Sequence, residues 1–193
     1  RIRRYAAANL IDRYLEIVRN CLAGDSRLHE RTGDEVMIVS SSADALLATA
    51  MLIAKHTSSE EHFLQVHGGM HYGTVLQRAD SYFGSAINLT SRIAAGARAG
   101  RIWCSDEFVS ALSDTTVVPL TPKGKKQFKN LTFEKEVYEL HTGEEKSRHI
   151  DPVCRMLIQD PGQAIAHPTE KDLYFCSASC LNLHEQRVNP CLN

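Results

Sequence analysis

Four of the six cysteines in this 193-residue chain, Cys154, Cys176, Cys180 and Cys191, fall within its last 40 residues. A segment that short has too little apolar core to fold well alone, and a metal or a set of cross-links is the usual remedy. The clustering therefore predicts two modules, a larger domain and a small thiol-bearing tail. Cys21 and Cys104 stand apart and read as small core residues. Nothing in the sequence signals export, so metal binding and a disulfide both remain open for the clustered thiols.

The formal net charge is −1, with 43% hydrophobic and 23% charged residues, which gives no support for a nucleic-acid or membrane partner. The basic start Arg1-Ile2-Arg3-Arg4 is short enough to be one solvated helix face. No run of about 18 apolar residues exists to cross a bilayer, and no leader peptide is visible; a cytoplasmic protein is expected. The chain opens with Arg inside a helical pattern, which predicts that the natural protein extends further N-terminally.

Residues 1–22 have apolar positions at helical spacing (Leu10, Tyr14, Ile17, Val18, Cys21), and Gly24-Asp25 supplies a stop. "RLHERTGDEVMIVS" (27–40) predicts two strands around a tight turn at Gly33-Asp34. Ser41 or Ser42 can cap the following helix, "ADALLATAMLIAKH", which is apolar on most of its circumference and must be buried. "FLQVHGGMHYGTVL" (63–76) predicts a strand with close backbone approach at its glycines. A helix over 85–97, a strand "RIWCS", a short helix "DEFVSAL" and a hairpin formed by "KQFKNL" and "EKEVYELH" follow. This mixture predicts an α+β domain over 1–141. The charged, turn-rich segment 142–150 is the expected linker, and 151–193 the tail.

Two local patterns carry chemistry. Asn88 and Arg92 lie one helical turn apart and share a face; such a pair can hold phosphate oxygens or simply decorate a solvated helix. Asp34 beside Gly33 is either a turn residue or a hard oxygen ligand. The stretches "TGDEVM" (32–37), "GMHYG" (69–73), "YFGSAINLTSR" (82–92) and "FKNLTFEKEVYEL" (128–140), in this order and roughly this spacing, resemble the catalytic domain of class III nucleotidyl cyclases, the adenylate and guanylate cyclases. The resemblance covers about three quarters of the chain.

The resemblance implies a ferredoxin-like fold, a head-to-tail homodimer and a nucleoside triphosphate substrate, cyclised to a 3′,5′-cyclic monophosphate with release of pyrophosphate. It implies two Mg²⁺ or Mn²⁺ ions held by two aspartates, Asp34 matching the second. It implies that Asn88 and Arg92 orient the ribose and stabilise the transition state, and that Lys129, nine residues before Tyr138, meets the triphosphate. Base choice falls to Glu30, four residues before Asp34, and to Ser81. A carboxylate at 30 resembles guanylate cyclases and can accept from guanine N1–H and its 2-amino group; Ser81 can serve guanine or adenine; Glu30 is equally able to be a solvated strand residue. The family's first metal aspartate lies on a strand preceding the first helix, so the chain as it stands is expected to be inactive, its full-length form an enzyme. The alternative is a non-catalytic cyclase-fold dimerisation module carrying a heavy-metal-binding tail.

The tail has its own resemblance. "DPVCRM" (151–156), "LYFCSASC" (173–180) and "NP" (189–190) are similar to the small YHS domain and the related TRASH modules. Twenty-one residues separate Cys154 from Cys176 and three separate Cys176 from Cys180, a soft triad suited to Zn²⁺ or Cu⁺. His184, a turn beyond Cys180, is the expected fourth ligand and His167 the runner-up. "His-Pro" at 167–168 departs from the stretch that names the domain.

Overall fold

The computed structural model describes residues 2–60, 63–129, 131, 133–142, 151–154, 158, 164–170 and 173–188. They divide into two compact units, residues 1–56 with 144–193, and residues 57–143. Most of the expected linker, and the "NP" of the tail, lie outside the described residues.

The first unit begins with helix α1 (Ile2–Cys21). Its apolar spacing buries Tyr14, Leu15, Ile17, Val18 and Cys21. Gly24, at φ 54, turns the chain out of the helix. Just past the helix, the Ala23 backbone N–H donates to buried Thr49 Oγ1 at 2.9 Å. Strands β1 (Arg27–Thr32) and β2 (Glu35–Val39) pair antiparallel with Thr32 opposite Glu35 and a register shift between Leu28 and Glu30. Gly33 supplies the positive φ of 67° that the tight turn requires. Asp25 holds both ends of the hairpin together: its carboxylate accepts from the hydroxyls of Ser40 and Ser41 and from the Ser41 backbone N–H. Helix α2 (Ala43–Ser59) follows; Ser42 is its cap, accepting from Ala45 N–H at 3.2 Å. It buries Ala45, Leu47, Ala48, Thr49 and Ile53, as its broad apolar circumference demanded.

The second unit is built on a four-stranded mixed sheet in the order Gly68–Met70, Ile102–Ser105, Lys135–Leu140, Leu120–Lys126. Strand β3 (Gly68–Met70) runs parallel to β6 (Ile102–Ser105), and β8 (Lys135–Leu140) pairs antiparallel with both β6 and β7 (Leu120–Lys126). A separate hairpin joins β4 (Leu76–Arg78) to β5 (Ser81–Phe83). Helix α3 (Ser85–Gly96) lies against the sheet, where Leu89, Ile93 and Val137 form a core flanked by Trp103, Phe128 and Leu131. A short helix, α4 (Asp106–Ser110), is capped by Ser105 Oγ, which accepts from Phe108 N–H. This is the mixed α+β content expected.

Three elements differ from the sequence reading. Strand 63–76 is only Gly68–Met70, paired with Ile102–Cys104 of β6; Leu76 opens the β4–β5 hairpin instead. The last hairpin pairs β8 with 120–126, not with "KQFKNL". Pro122 sits in this strand because β7 is the sheet edge, where a missing N–H is tolerated, beside a bulge between Pro122 and Gly124. "KQFKNL" contributes Lys126 to that strand, and its Phe128 and Leu131 turn onto the α3 core.

In the C-terminal segment, β9 (Ile165–Ala166) pairs antiparallel with β10 (Tyr174–Phe175), ahead of α5 (Ala178–Val188). Cys176 precedes this helix rather than beginning it. Ser177 holds the helix start, accepting from Cys180 N–H through its hydroxyl and from Leu181 N–H through its carbonyl. No helix among the described residues is long and apolar enough to cross a membrane.

Candidate functional site

The residues expected to handle a nucleotide fall into two sets. Glu30 and Asp34 belong to the first unit, both exposed, on β1 and at the tip of the β1–β2 turn. Asp34 contributes to raising the Tyr14 hydroxyl to about 12, an effect due first to burial and second to the Asp34 charge. Among the described residues Asp34 belongs to no cluster of three metal-capable side chains. The described residues therefore do not by themselves build a two-metal centre.

Ser81, Asn88, Arg92 and Lys129 belong to the second unit. The α3 residues Ala86, Leu89 and Ile93 are buried, which leaves Asn88 exposed on another face with Arg92 one turn on. The Arg92 guanidinium donates through Nη1 to the backbone carbonyl of Lys129. The turn carrying Lys129 is closed by Leu131 N–H donating to the Phe128 carbonyl at 3.1 Å and by Gln127 Nε2 donating to the Leu131 carbonyl at 2.6 Å. Asn88, Arg92 and the Lys129 main chain are thus brought together, with Lys129 itself exposed. Ser81 is exposed at the start of β5, opposite Arg78.

The second unit also holds a polar cluster that the sequence did not reveal. Ser105 Oγ is 2.7 Å from His71 Nδ1, accepts from Phe108 N–H and also bonds to Glu107. Burial holds His71 below its usual range, outweighing the opposite effect of Glu107 3.7 Å away. Lys135 pairs with Glu107 in turn. With both His71 and Ser105 turned inward, this cluster fixes the strand ends around "GMHYG" rather than presenting a reactive group.

In the C-terminal segment, Asp151, Cys154, Cys176 and Cys180 converge, with their ligand atoms all within 4.8 Å of one another. Sulfur separations are 3.6 Å for Cys154–Cys176 and 3.8 Å for Cys176–Cys180. Asp151 is completely buried. Its Oδ1 accepts from the N–H groups of Val153 (2.8 Å) and Cys154 (3.2 Å), and its Oδ2 from Cys176 N–H (2.8 Å). Burial alone would raise this carboxyl; the bonds from the Cys176, Val153 and Cys154 segments outweigh it and hold the group below the usual carboxylate range. Burial, then the hydrogen bond to Asp151 and those to the neighbouring thiols, pushes the Cys176 thiol far up.

His184 is not in this group. It joins His167 and Glu170 in a second one, packed edge-on to His167 and 5.3 Å from the Phe175 ring, with its Nε2 enclosed and lacking a hydrogen bond. His167 Nδ1 accepts from Glu170 N–H at 3.0 Å and Thr169 N–H at 3.3 Å, which puts the proton of a neutral ring on Nε2. Asp151 was missed in the sequence although its signal was present: Asp followed by Pro, with a side chain able to accept from residues two and three ahead, is a turn-forming pattern.

The fold agrees with the comparisons to known proteins. The chain belongs to the family of adenylate and guanylate cyclase catalytic domains, whose model matches residues 22–142, more than half of its length. An uncharacterised protein of Mycobacterium tuberculosis is 38% identical over 105 residues, covering 53% of this chain and 28% of that protein. A pH-sensitive adenylate cyclase of the same species is 28% identical over 106 residues, covering 55% of this chain and 27% of the relative. The chain thus spans less than a third of these curated relatives. Among solved structures, an adenylate cyclase of Trypanosoma brucei, studied in its monomeric state, superposes with a TM-score of 0.64 at 15% identity over 70% of this chain and 78% of that one; this likeness concerns the fold alone.

Proposed function

We propose that the full-length protein is a nucleotidyl cyclase, converting a nucleoside triphosphate into its 3′,5′-cyclic monophosphate and pyrophosphate. The observation that carries this is the placement of Asn88 and Arg92 on one face of α3, with Arg92 bonded to the Lys129 main chain. In the reaction, the substrate 3′-oxygen bonds to the α-phosphorus, its proton passes to solvent water, and the bond from that phosphorus to the departing pyrophosphate breaks. Asn88 orients the ribose. The Arg92 guanidinium, which has five N–H donors in all, offers those not used on Lys129 to the phosphoryl oxygens as charge accumulates there. The Lys129 ammonium meets the triphosphate. Asp34 supplies one carboxylate to a Mg²⁺ or Mn²⁺ centre, whose second carboxylate we place on a strand N-terminal to α1. Held there, the ions would supply positive charge to the phosphates and acidify the 3′-hydroxyl. Glu30 and Ser81 contact the base, with Glu30 favouring guanine.

The active species is a head-to-tail homodimer in which Asp34 of one chain serves the site containing Asn88 and Arg92 of the other. The β4–β5 hairpin supports this: Leu76 and Phe83, paired across it, are 57% and 53% exposed, with Tyr72 and Val75 exposed just before. The C-terminal segment is read as a metal-binding module using Cys154, Cys176 and Cys180 for Zn²⁺ or Cu⁺.

The full-length enzyme with Mn²⁺ tests the catalytic reading. Arg92→Ala should lower turnover by about 10²–10³, the scale for losing one transition-state donor. Mixing inactive Asp34→Ala and Arg92→Ala chains should restore activity, because heterodimers regenerate one complete site. A wild-type rate in Arg92→Ala refutes the site; absence of rescue in verified heterodimers refutes the shared arrangement.

A further inference from the structure

We propose that Asp151 is the fourth ligand of the thiolate cluster, and that it makes the site one for a divalent ion, Zn²⁺, in preference to Cu⁺. This rests on the reading of Cys154, Cys176 and Cys180 as metal ligands. Three observations carry it.

The first is sulfur geometry. With Zn–S bonds of about 2.3 Å, the edge of a regular tetrahedron is about 3.8 Å. The Cys154–Cys176 and Cys176–Cys180 separations are 3.6 and 3.8 Å, so two of the three sulfur–sulfur edges match such a site, and the third lies within 4.8 Å.

The second is the remaining corner. His184, the candidate that helical spacing suggested, clusters with His167 and Glu170 instead. The group that shares the 4.8 Å neighbourhood of the three sulfurs is the Asp151 carboxylate. Its two oxygens offer about four lone-pair directions. Oδ1 uses two, on Val153 and Cys154; Oδ2 uses one, on Cys176. One direction remains, on the oxygen that already faces the Cys176 segment, and the Cys176 thiol bonds to this same carboxylate. A cation replacing the thiol protons would find the carboxylate fully buried and oriented by three backbone N–H groups.

The third is charge and softness. Three thiolates and a carboxylate carry four negative charges. A divalent ion leaves two of them uncompensated, Cu⁺ three, in a site that buries its carboxylate completely. Oxygen is moreover a poor ligand for soft Cu⁺, which thiolates alone satisfy, and a good one for borderline Zn²⁺. Asp151 therefore contributes to Zn²⁺ binding and little to Cu⁺ binding.

The test uses the whole chain, stripped of metal and titrated separately with Zn²⁺ and, under anaerobic reducing conditions, with Cu⁺ against competing chelators. X-ray absorption of the Zn²⁺ form should show three sulfurs and one oxygen. Asp151→Asn should weaken Zn²⁺ by about 10–100-fold, the range for losing a group that ligates or orients at a metal, while Cu⁺ affinity changes little; retained Cu⁺ binding also shows that the variant's thiol site is folded. An imidazole in the Zn²⁺ shell overturns the proposal in favour of a histidine. Unchanged Zn²⁺ affinity, or equal loss of both metals, overturns it by making Asp151 a bystander or a loop clamp. If the wild-type chain binds neither ion, the metal-module reading falls with it; if it binds Cu⁺ alone, only the Asp151 assignment falls.

Discussion

Gly68 and Gly69 are neighbours on β3, yet a methyl group added to each should act very differently. A Cβ on Gly69 would stand 2.4 Å from Ala94 N, 2.6 Å from the Thr90 carbonyl oxygen and 2.9 Å from Ala94 Cα. All three are main-chain atoms of α3, so no side chain can swing aside, and the helix must retreat by about 1 Å to restore ordinary van der Waals separation. That displacement opens the Leu89, Ile93 and Val137 core. Overpacking of one methyl costs roughly 1–3 kcal/mol, and the rigid neighbours place Gly69→Ala near 3 kcal/mol. A Cβ on Gly68 meets nothing within 4 Å, so Gly68→Ala should be neutral or stabilising by a few tenths of a kcal/mol through the unfolded chain. The single tryptophan, Trp103, sits against the same core and reports on this unit without a label. With a urea slope of about 2 kcal/mol/M, the Gly69→Ala midpoint should fall by about 1.5 M, while Gly68→Ala stays near wild type. Because α3 carries Asn88 and Arg92, the Gly69→Ala shift should also lower cyclase turnover in the full-length enzyme by up to about 100-fold, the sensitivity of catalysis to a 1 Å misplacement. Equal midpoints for the two variants would refute the close approach of β3 and α3.

Glu30→Lys should move preference from GTP towards ATP in full-length enzyme assayed with both nucleotides, by about 1–3 kcal/mol of discrimination, or roughly 5- to 150-fold in the kcat/KM ratio; a tenfold preference for ATP in the unmutated enzyme refutes the role given to Glu30. Asp25 is held at about 2, first by the Ser40 and Ser41 hydroxyls and then by the Ser41 backbone N–H. Its folded value lies below the unfolded one of about 3.9, so its contribution is present above pH 4 and lost as pH falls towards 2. Asp25→Asn should flatten acid unfolding in that window, followed by far-ultraviolet circular dichroism, and an unaltered acid limb would count against the clamp.

The sequence made local structure legible where pattern and punctuation agreed. The Gly33-Asp34 turn, the breadth of apolar surface on α2 and the helix after Gly84 each followed from residues within one or two turns. It failed where pairing is decided at a distance. Nothing local says that β3 stops at Met70, or that β8 pairs with 120–126 across a loop over "KQFKNL", whose Phe128 and Leu131 pack on the α3 core. The tail shows the same limit in chemistry. Helical spacing alone favoured His184 beside Cys180. The chain places Cys176 and Cys180 across the start of α5, and brings Asp151 from twenty-five residues upstream of Cys176 to the thiols while His184 faces His167. The family motifs singled out Asn88, Arg92 and Lys129, but motif spacing could not show that Arg92 meets Lys129 through its backbone carbonyl.

That contact has an entropic consequence. A free arginine side chain carries about 2 kcal/mol of rotamer entropy, which a ligand must freeze on arrival. With Nη1 anchored to the Lys129 carbonyl, much of that ordering is completed when the second unit folds, and the plane of the guanidinium is fixed before any anion approaches. The anchor is also indifferent to the identity of residue 129, because a carbonyl is present whatever side chain stands there. Replacing Lys129 would remove one positive charge and leave the orientation of the Arg92 guanidinium intact.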